Sequence, residues 1–278
     1  APALPDKLEG FKNPESARYD AELDVWYVSN VNGGPMARDG NGYISRLKGD
    51  ETVDSMEFIM GGRNGVTLNA PKGLAIVGDT LWVADLDAVR AFNRKTGEPI
   101  ASIDLKGKAK FLNDAAAGPD GVYFTDSGFG SDGKGGMAHT GPDQIFKVSG
   151  RKATVALKSS ALAAPNGIAW DTAGNRFIVG PFAGKTLQAW TPGQTKLTSL
   201  GETPGQIDGV EVLGPDRVLL TSWTDSTLNT LQSGKLTPFG GKMPSPADIG
   251  VDTKRGRVAI PLLLGNRVEF RALPAATR

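Results

Sequence analysis

Short runs of Val, Ile, Leu and aromatic residues, broken by Gly, Pro, Asn and Asp turn signals, recur from one end of the chain to the other. The clearest is Ala164-Pro165-Asn166-Gly167-Ile168-Ala169-Trp170, which presents one polar side chain, Asn166, where the apolar run begins. Five other stretches align with it, led by Pro14-Glu15-Ser16, Pro71-Lys72-Gly73, Leu112-Asn113-Asp114, Ile207-Asp208-Gly209 and Pro246-Ala247-Asp248. The residue after the leading Pro, Leu or Ile therefore reads Glu15, Lys72, Asn113, Asn166, Asp208, Ala247. A spacing of roughly 40–50 residues is that of propeller blades, so the pattern predicts an all-β protein, a single six-bladed β-propeller over residues 1–278.

Within each copy a second β-rich run follows: Val25–Val28, Leu81–Ala84, Val122–Thr125, Arg176–Val179, Val218–Thr221 and Val258–Ile260. Third runs are visible at Tyr43–Leu47, Gln144–Val148 and Thr186–Trp190. The sixth copy ends at Val268–Leu273, one strand short, while Lys7-Leu8-Glu9-Gly10-Phe11 matches Lys235-Leu236-Thr237-Pro238-Phe239 at the end of the fifth. The N-terminal segment is thus predicted to join the last blade and close the ring, which removes an exposed edge. Two long joins, 30–42 and 126–142, should overhang the central positions.

Composition narrows the partners. Lys plus Arg number 31 against 30 for Asp plus Glu, a net charge of +1, so no overall field draws the chain to nucleic acid or an anionic membrane. No apolar run approaches the ~20 residues of a membrane span. Without cysteine there is neither disulfide nor thiolate chemistry, and the redox compartment is left open. The start Ala1-Pro2-Ala3 fits a mature form trimmed of a secretory signal, and equally a cytosolic chain that has lost its initiator Met; the expectation is periplasmic or secreted, with cytoplasmic as the alternative.

If the copies converge, Glu15, Asn113, Asn166 and Asp208 bring oxygen donors to one axis, with formal charge from Glu15 and Asp208. Hard cations that take about six to eight oxygens use such donors, which makes Ca2+, or another divalent cation, the expected cofactor. Zinc is disfavoured, because there is no cysteine and the sole histidine, His139, lies outside the ring positions.

The set Pro14-Glu15-Ser16, Leu112-Asn113-Asp114, Pro165-Asn166-Gly167 and Asp208-Gly209 resembles the SMP-30/gluconolactonase family of six-bladed propellers, with relatives among phosphotriesterase-like and paraoxonase-type enzymes. The resemblance implies an axial divalent metal, usually calcium, held by Glu15, Asn166 and Asp208, with Asn113 as a further ligand or substrate contact. It also implies hydrolysis of lactones or related small-molecule esters, in which Asp208 acts as general base as well as ligand. Lys72 departs from that pattern. An ammonium there either pairs with Glu15 and Asp208 in place of the ion, giving a non-catalytic propeller that binds a ligand or protein partner, or points up to hold an anionic group of a substrate.

Blander readings stand beside these. Asn166-Gly167 and Asp208-Gly209 are ordinary turn formers when taken alone, and only their equivalence in the repeat raises them to candidate ligands. Asp114 and Asp248 are expected to tie down neighbouring backbone. His139, in the flexible 135–141 stretch, is a catalytic candidate only if that loop covers the ring; any Ser-His-Asp scheme must use it. Gly128 to Gly133 spells a dinucleotide fingerprint, but Gly135, Gly136 and Pro142 follow where a helix is needed, so no nucleotide is expected. Most tryptophans should pack between blades, with Trp223 the one expected to line the pocket. Arg38 and Asp39 read as solvent charges.

Overall fold

The computed structural model describes residues 6–275; Ala1 to Ala3, on which the compartment expectation rests, lie outside them. The described chain has strands and two short 3-10 turns but no α-helix. Six four-stranded antiparallel sheets form the ring.

Their innermost strands are Pro14–Asp20, Pro71–Val77, Leu112–Gly118, Pro165–Asp171, Ile207–Gly214 and Gly250–Asp252. The second strands are Val25–Asn30, Thr80–Asp85, Gly121–Asp126, Arg176–Pro181, Arg217–Ser222 and Arg257–Leu262. Third strands form in every blade, including Ala88–Asn93 and Thr227–Gln232, which the sequence pattern does not single out. In the first of these, Arg90 breaks the apolar run but is neutralised by Asp85 at 2.9 Å.

Ring closure follows the expectation. Lys7–Glu9 pairs with Arg267–Ala272, in the register Lys7 to Glu269 and Glu9 to Arg267, and becomes the outermost strand of blade six. Because blades touch face to face, the core is divided into separate clusters. Each blade junction has its own, such as Tyr27, Ile44, Leu74 and Leu81 between blades one and two, and Trp26, Ala259 and Phe270 between blades one and six. Trp26 and Trp190 are fully buried in these junctions. The stability of the ring therefore rests on blade-to-blade apolar burial, at about 25 cal/mol per Å² of apolar surface.

The joins after the second strands of blades one and three lie at the same end of the ring as the starts of the inner strands, since Pro14 pairs with Asn30 and Leu112 with Asp126. The second join carries a hairpin, Phe129–Ser131 with Met137–His139. The glycine-rich run at Gly128 therefore enters a strand and not a helix, and lacks the helix N-terminus that a phosphate site of that motif requires.

Candidate functional site

The inner and second strands of blades one to five fall out of register by one residue at the same place: between Pro14 and Ser16, Pro71 and Leu74, Leu112 and Ala115, Pro165 and Ile168, and Ile207 and Val210. Each is a one-residue bulge, and a bulge re-aims a side chain that regular pairing would direct elsewhere. Glu15, Lys72, Asn113, Asn166 and Asp208 sit in these bulges, and all five are buried.

The unpaired backbone at the bulges is satisfied by hydroxyls on the second strands. Ser16 N donates to Ser29 Oγ at 2.9 Å, Asp114 N to Thr125 Oγ1 at 2.9 Å and Gly209 N to Thr221 Oγ1 at 2.7 Å. Thr125 Oγ1 then donates to Asn166 O at 2.8 Å, and Thr221 Oγ1 to Ala247 O at 2.9 Å, so these two hydroxyls fix their own bulges and the backbone at the next blade's ring position. Gly167 and Gly209 are not turn residues. A Cβ on Gly167 would stand 2.3 Å from Asp208 O, and one on Gly209 2.6 Å from Ile249 N, so glycine follows the ring residue because the next inner strand passes that close.

The structure brings Glu15, Asn166 and Asp208 together. Asp208 Oδ2 accepts from Trp223 Nε1 at 2.8 Å, and the Asn166 amide also favours its ionised form. Glu15 Oε2, Asn166 Oδ1 and Asp208 Oδ1 are buried and have no hydrogen-bond partner. Native interiors seldom leave such atoms unpaired, and carboxylate and amide oxygens on interacting neighbours are donors of the type that would fit a calcium ion. Among the described residues no group of three or more His, Cys, Asp or Glu is placed to hold a metal. Asn113 is held through Nδ2 to Ser127 Oγ at 3.0 Å.

Burial, then the neighbouring Asp248, pushes the Asp208 carboxyl up to about 8; burial and the Asp208 charge raise Glu15 well above the carboxylate range. Burial pulls the Lys72 ammonium down to about 8, against the pull of Glu15. Lys72 Nζ donates to Ala70 O at 2.9 Å and lies 4.4 Å from the Phe111 ring centroid. The ion pair to Glu15 or Asp208 expected of a lysine that replaces the metal is not formed among the described residues.

Beneath this ring are two further layers. One residue on, the repeat reads Ser16, Gly73, Asp114, Gly167, Gly209, Asp248. Asp114 accepts from Ala115 N at 2.6 Å and Ile168 N at 2.7 Å and so ties backbone together as expected, whereas Asp248 Oδ2 accepts from the Ser16 hydroxyl at 2.5 Å and Asp248 Oδ1 has no hydrogen-bond partner. Three residues on, it reads Arg18, Ala75, Ala116, Ala169, Glu211, Gly250. The two charged members pair, and Arg18 also reaches Asp248 at 3.4 Å. They line a cavity of about 260 Å³ at the far end of the axis. This floor escapes a reading confined to the ring position, although the same alignment contains it.

His139 lies on the blade-three hairpin and is partly exposed. Its Nε2 is 2.6 Å from Asp143 Oδ1, and Asp143 Oδ2 accepts from Ala164 N, two residues before Asn166. It packs against Phe129 and makes no hydrogen bond to a ring residue. Arg38, in the first join, pairs with Asp87 at 2.8 Å.

Comparison with known proteins agrees with this architecture. The family described as the SMP-30/Gluconolactonase/LRE-like region matches residues 14–228, which span every bulge. No curated protein matches the chain. Among solved structures, the one titled "Crystal structure of Nidogen/Laminin Complex" is similar with a TM-score of 0.65 at 15% identity, covering 83% of this chain and 80% of that one; at such identity the likeness is one of fold.

Proposed function

Because the chain belongs to the SMP-30/gluconolactonase/LRE-like family, we propose that it is a calcium-dependent hydrolase of lactones or small esters, with its active site on the axis at the bulge end of the ring. The observation that carries this reading is the set of unpartnered, buried oxygens Glu15 Oε2, Asn166 Oδ1 and Asp208 Oδ1. These atoms would hold the ion, with Asn113 beside them as a further ligand or a substrate contact. When bound, calcium supplies Lewis-acid polarisation of the substrate carbonyl.

The chain's own residues supply the rest. Trp223 fixes one oxygen of Asp208 and so sets the direction in which the other faces the ring. Asp208, ionised when the ion is bound, is the carboxylate placed to take a proton from the attacking water as well as to hold the ion. Asn113 is oriented by Ser127, whose own Oγ donates to Pro165 O at 2.6 Å, so two ring positions share one anchor. The alternative, a non-catalytic propeller in which Lys72 stands in for the metal, is disfavoured by the Lys72 ammonium's bond to Ala70 O and its place over Phe111.

The test is hydrolysis of a panel of lactones and aryl esters by wild type and Asp208→Ala, each with calcium and with chelator. Loss of a calcium-dependent rate by about 10²-fold or more in the variant is expected for removal of a base that is also a ligand. Equal rates for the two proteins would remove the mechanism.

A further inference from the structure

The bulges fix the ring residues, and they also fix what stands directly above them. In blades one, four, five and six, the first residue after the second strand donates its N–H to the carbonyl two residues before the ring position: Val31 to Asn13 at 3.0 Å, Phe182 to Ala164 at 2.9 Å, Trp223 to Gln206 at 3.0 Å and Leu263 to Ser245 at 3.0 Å. Leu86 holds the same place in blade two. In blade three the place is taken by Ser127, which is spent on Asn113, and Phe129 two residues later supplies the apolar group.

This makes a collar of six apolar residues, one per blade, above the axial site: Phe129, Phe182, Trp223 and Leu263 are part-exposed, and Val31 and Leu86 are buried behind them. Its members touch. Val31, Leu86, Phe129 and Leu263 belong to one apolar cluster with Phe111. Phe129 meets Phe182 with ring centroids 6.0 Å apart, and Phe182 meets Trp223 at 6.0 Å, in each case edge to face. One end of the aromatic series reaches the reacting centre through Trp223 Nε1 and Asp208, the other through Phe111 and Lys72. Leu264, just outside the collar, is 69% exposed and prolongs the apolar surface outward.

We propose that this collar selects the substrate: a lactone or ester bearing an apolar alkyl or aryl arm, whose carbonyl goes down to the ring and whose arm lies along Phe129, Phe182 and Trp223. This rests on the hydrolase reading of the same site. A polyhydroxylated lactone is disfavoured, because apolar side chains give its hydroxyls no partner and would strip their water without replacing it. Apolar arms gain by burial, and aromatic arms gain further from edge-to-face contacts.

The experiment uses calcium-loaded protein and γ-lactones whose alkyl arm grows from methyl to hexyl, with a polyhydroxylated sugar lactone as the polar comparison. In wild type kcat/KM should rise about fourfold per methylene over the first few carbons, and the sugar lactone should fall below the methyl compound. Phe182→Ala should lose more with each added methylene, flattening the slope to about twofold, whereas Phe182→Leu, which keeps apolar bulk, should recover most of it. A slope near one in wild type, a preference for the sugar lactone, or an equal loss at every arm length in Phe182→Ala would overturn the proposal. The corresponding γ-alkyl lactams, measured for binding by calorimetry, separate the two ideas. Affinity that climbs with arm length while no lactone or ester is hydrolysed would sink the hydrolase reading and leave the collar standing. Affinity flat across the lactams would sink the collar even in an active enzyme.

Discussion

Replacing Asp208 by Asn should make the metal-free protein more stable and abolish its response to calcium. The side chains are close in shape, and Oδ of an amide can still accept from Trp223 Nε1. What changes is charge. In the metal-free fold burial and Asp248 hold the Asp208 carboxyl up at about 8, against an ordinary value of 3.8. Folding at pH 7 must therefore keep a proton on a group that is ionised when unfolded, a cost of about 4 kcal/mol at ~1.4 kcal/mol per pH unit.

The sign follows from the direction of the shift. Below pH 3.8 both states carry the proton and the substitution gains nothing; between 3.8 and about 8 the gain grows with pH, and above that it is constant. At pH 7 in chelator, Asp208→Asn should melt several degrees above wild type, since a domain of this size moves roughly 2 °C per kcal/mol. Calcium at about 100 times its Kd should stabilise wild type by about 2.7 kcal/mol and leave the variant almost unmoved. Thermal melts at pH 4, 6 and 8, with chelator and with calcium, read both effects. A variant less stable than wild type in chelator at pH 7, or one that calcium stabilises as much as wild type, would refute the reasoning that the axial carboxylates are poised for a cation.

Three further outcomes follow from the same charges and contacts. Calcium binding should strengthen about tenfold per pH unit between pH 6 and 8 and release about one proton or more, because the raised Asp208 and Glu15 carboxyls must ionise to ligate; calorimetry in buffers of different ionisation enthalpy measures the release, and pH-independent affinity would count against ligation by either. Lys72→Met should bind calcium about tenfold more tightly, since it removes a cation that acts on Glu15 while keeping the stem over Phe111, and unchanged or weaker binding would show that the ammonium does not oppose the ion. Gly209→Ala should lose about 2–3 kcal/mol in denaturant unfolding, as its Cβ would stand 2.6 Å from Ile249 N and 2.9 Å from Asp248 Cα, and near-neutral behaviour would mean that the sixth inner strand can move away without cost.

How far the chain could be read in advance depended on whether a residue acts through its place in the repeat or through a partner elsewhere. Glu15, Asn113, Asn166 and Asp208 were legible because one alignment column holds them, and the bulges then give that column a common direction. Closure by Lys7–Glu9 was legible too, from a missing strand at one end and a spare one at the other. The conduct of Lys72 was not. Its column left open an ion pair with Glu15 or Asp208 and an ammonium raised towards a substrate anion, and the orientation is settled by Ala70 O and Phe111, neighbours that alignment cannot reveal. Nor was the Arg18–Glu211 contact, whose members are 193 residues apart; each looks like a solvent charge until the column three past the ring is read downward.

That column also explains how a narrow axis tolerates so much acid. Glu15 and Asp208 stand at the top, Asp114 and Asp248 in the middle and Glu211 at the floor, and burial raises the pKa of every one. Arg18 offsets the lower three, through Glu211 and Asp248 directly and Asp114 at longer range; Asp114 is further engaged by backbone amides and Asp248 Oδ2 by Ser16, while Asp248 Oδ1 has no partner. Lys72, with its own pKa lowered, is a weak counterweight for the upper two. The deficit of positive charge is therefore concentrated at the end where Glu15 Oε2, Asn166 Oδ1 and Asp208 Oδ1 lack partners and where the apolar collar opens. Had Arg18 and Lys72 exchanged columns, the same composition would have placed the unbalanced acid at the floor, beneath alanines and away from both long joins. The order of charges along the axis, more than their number, decides which end of this ring calls for a cation.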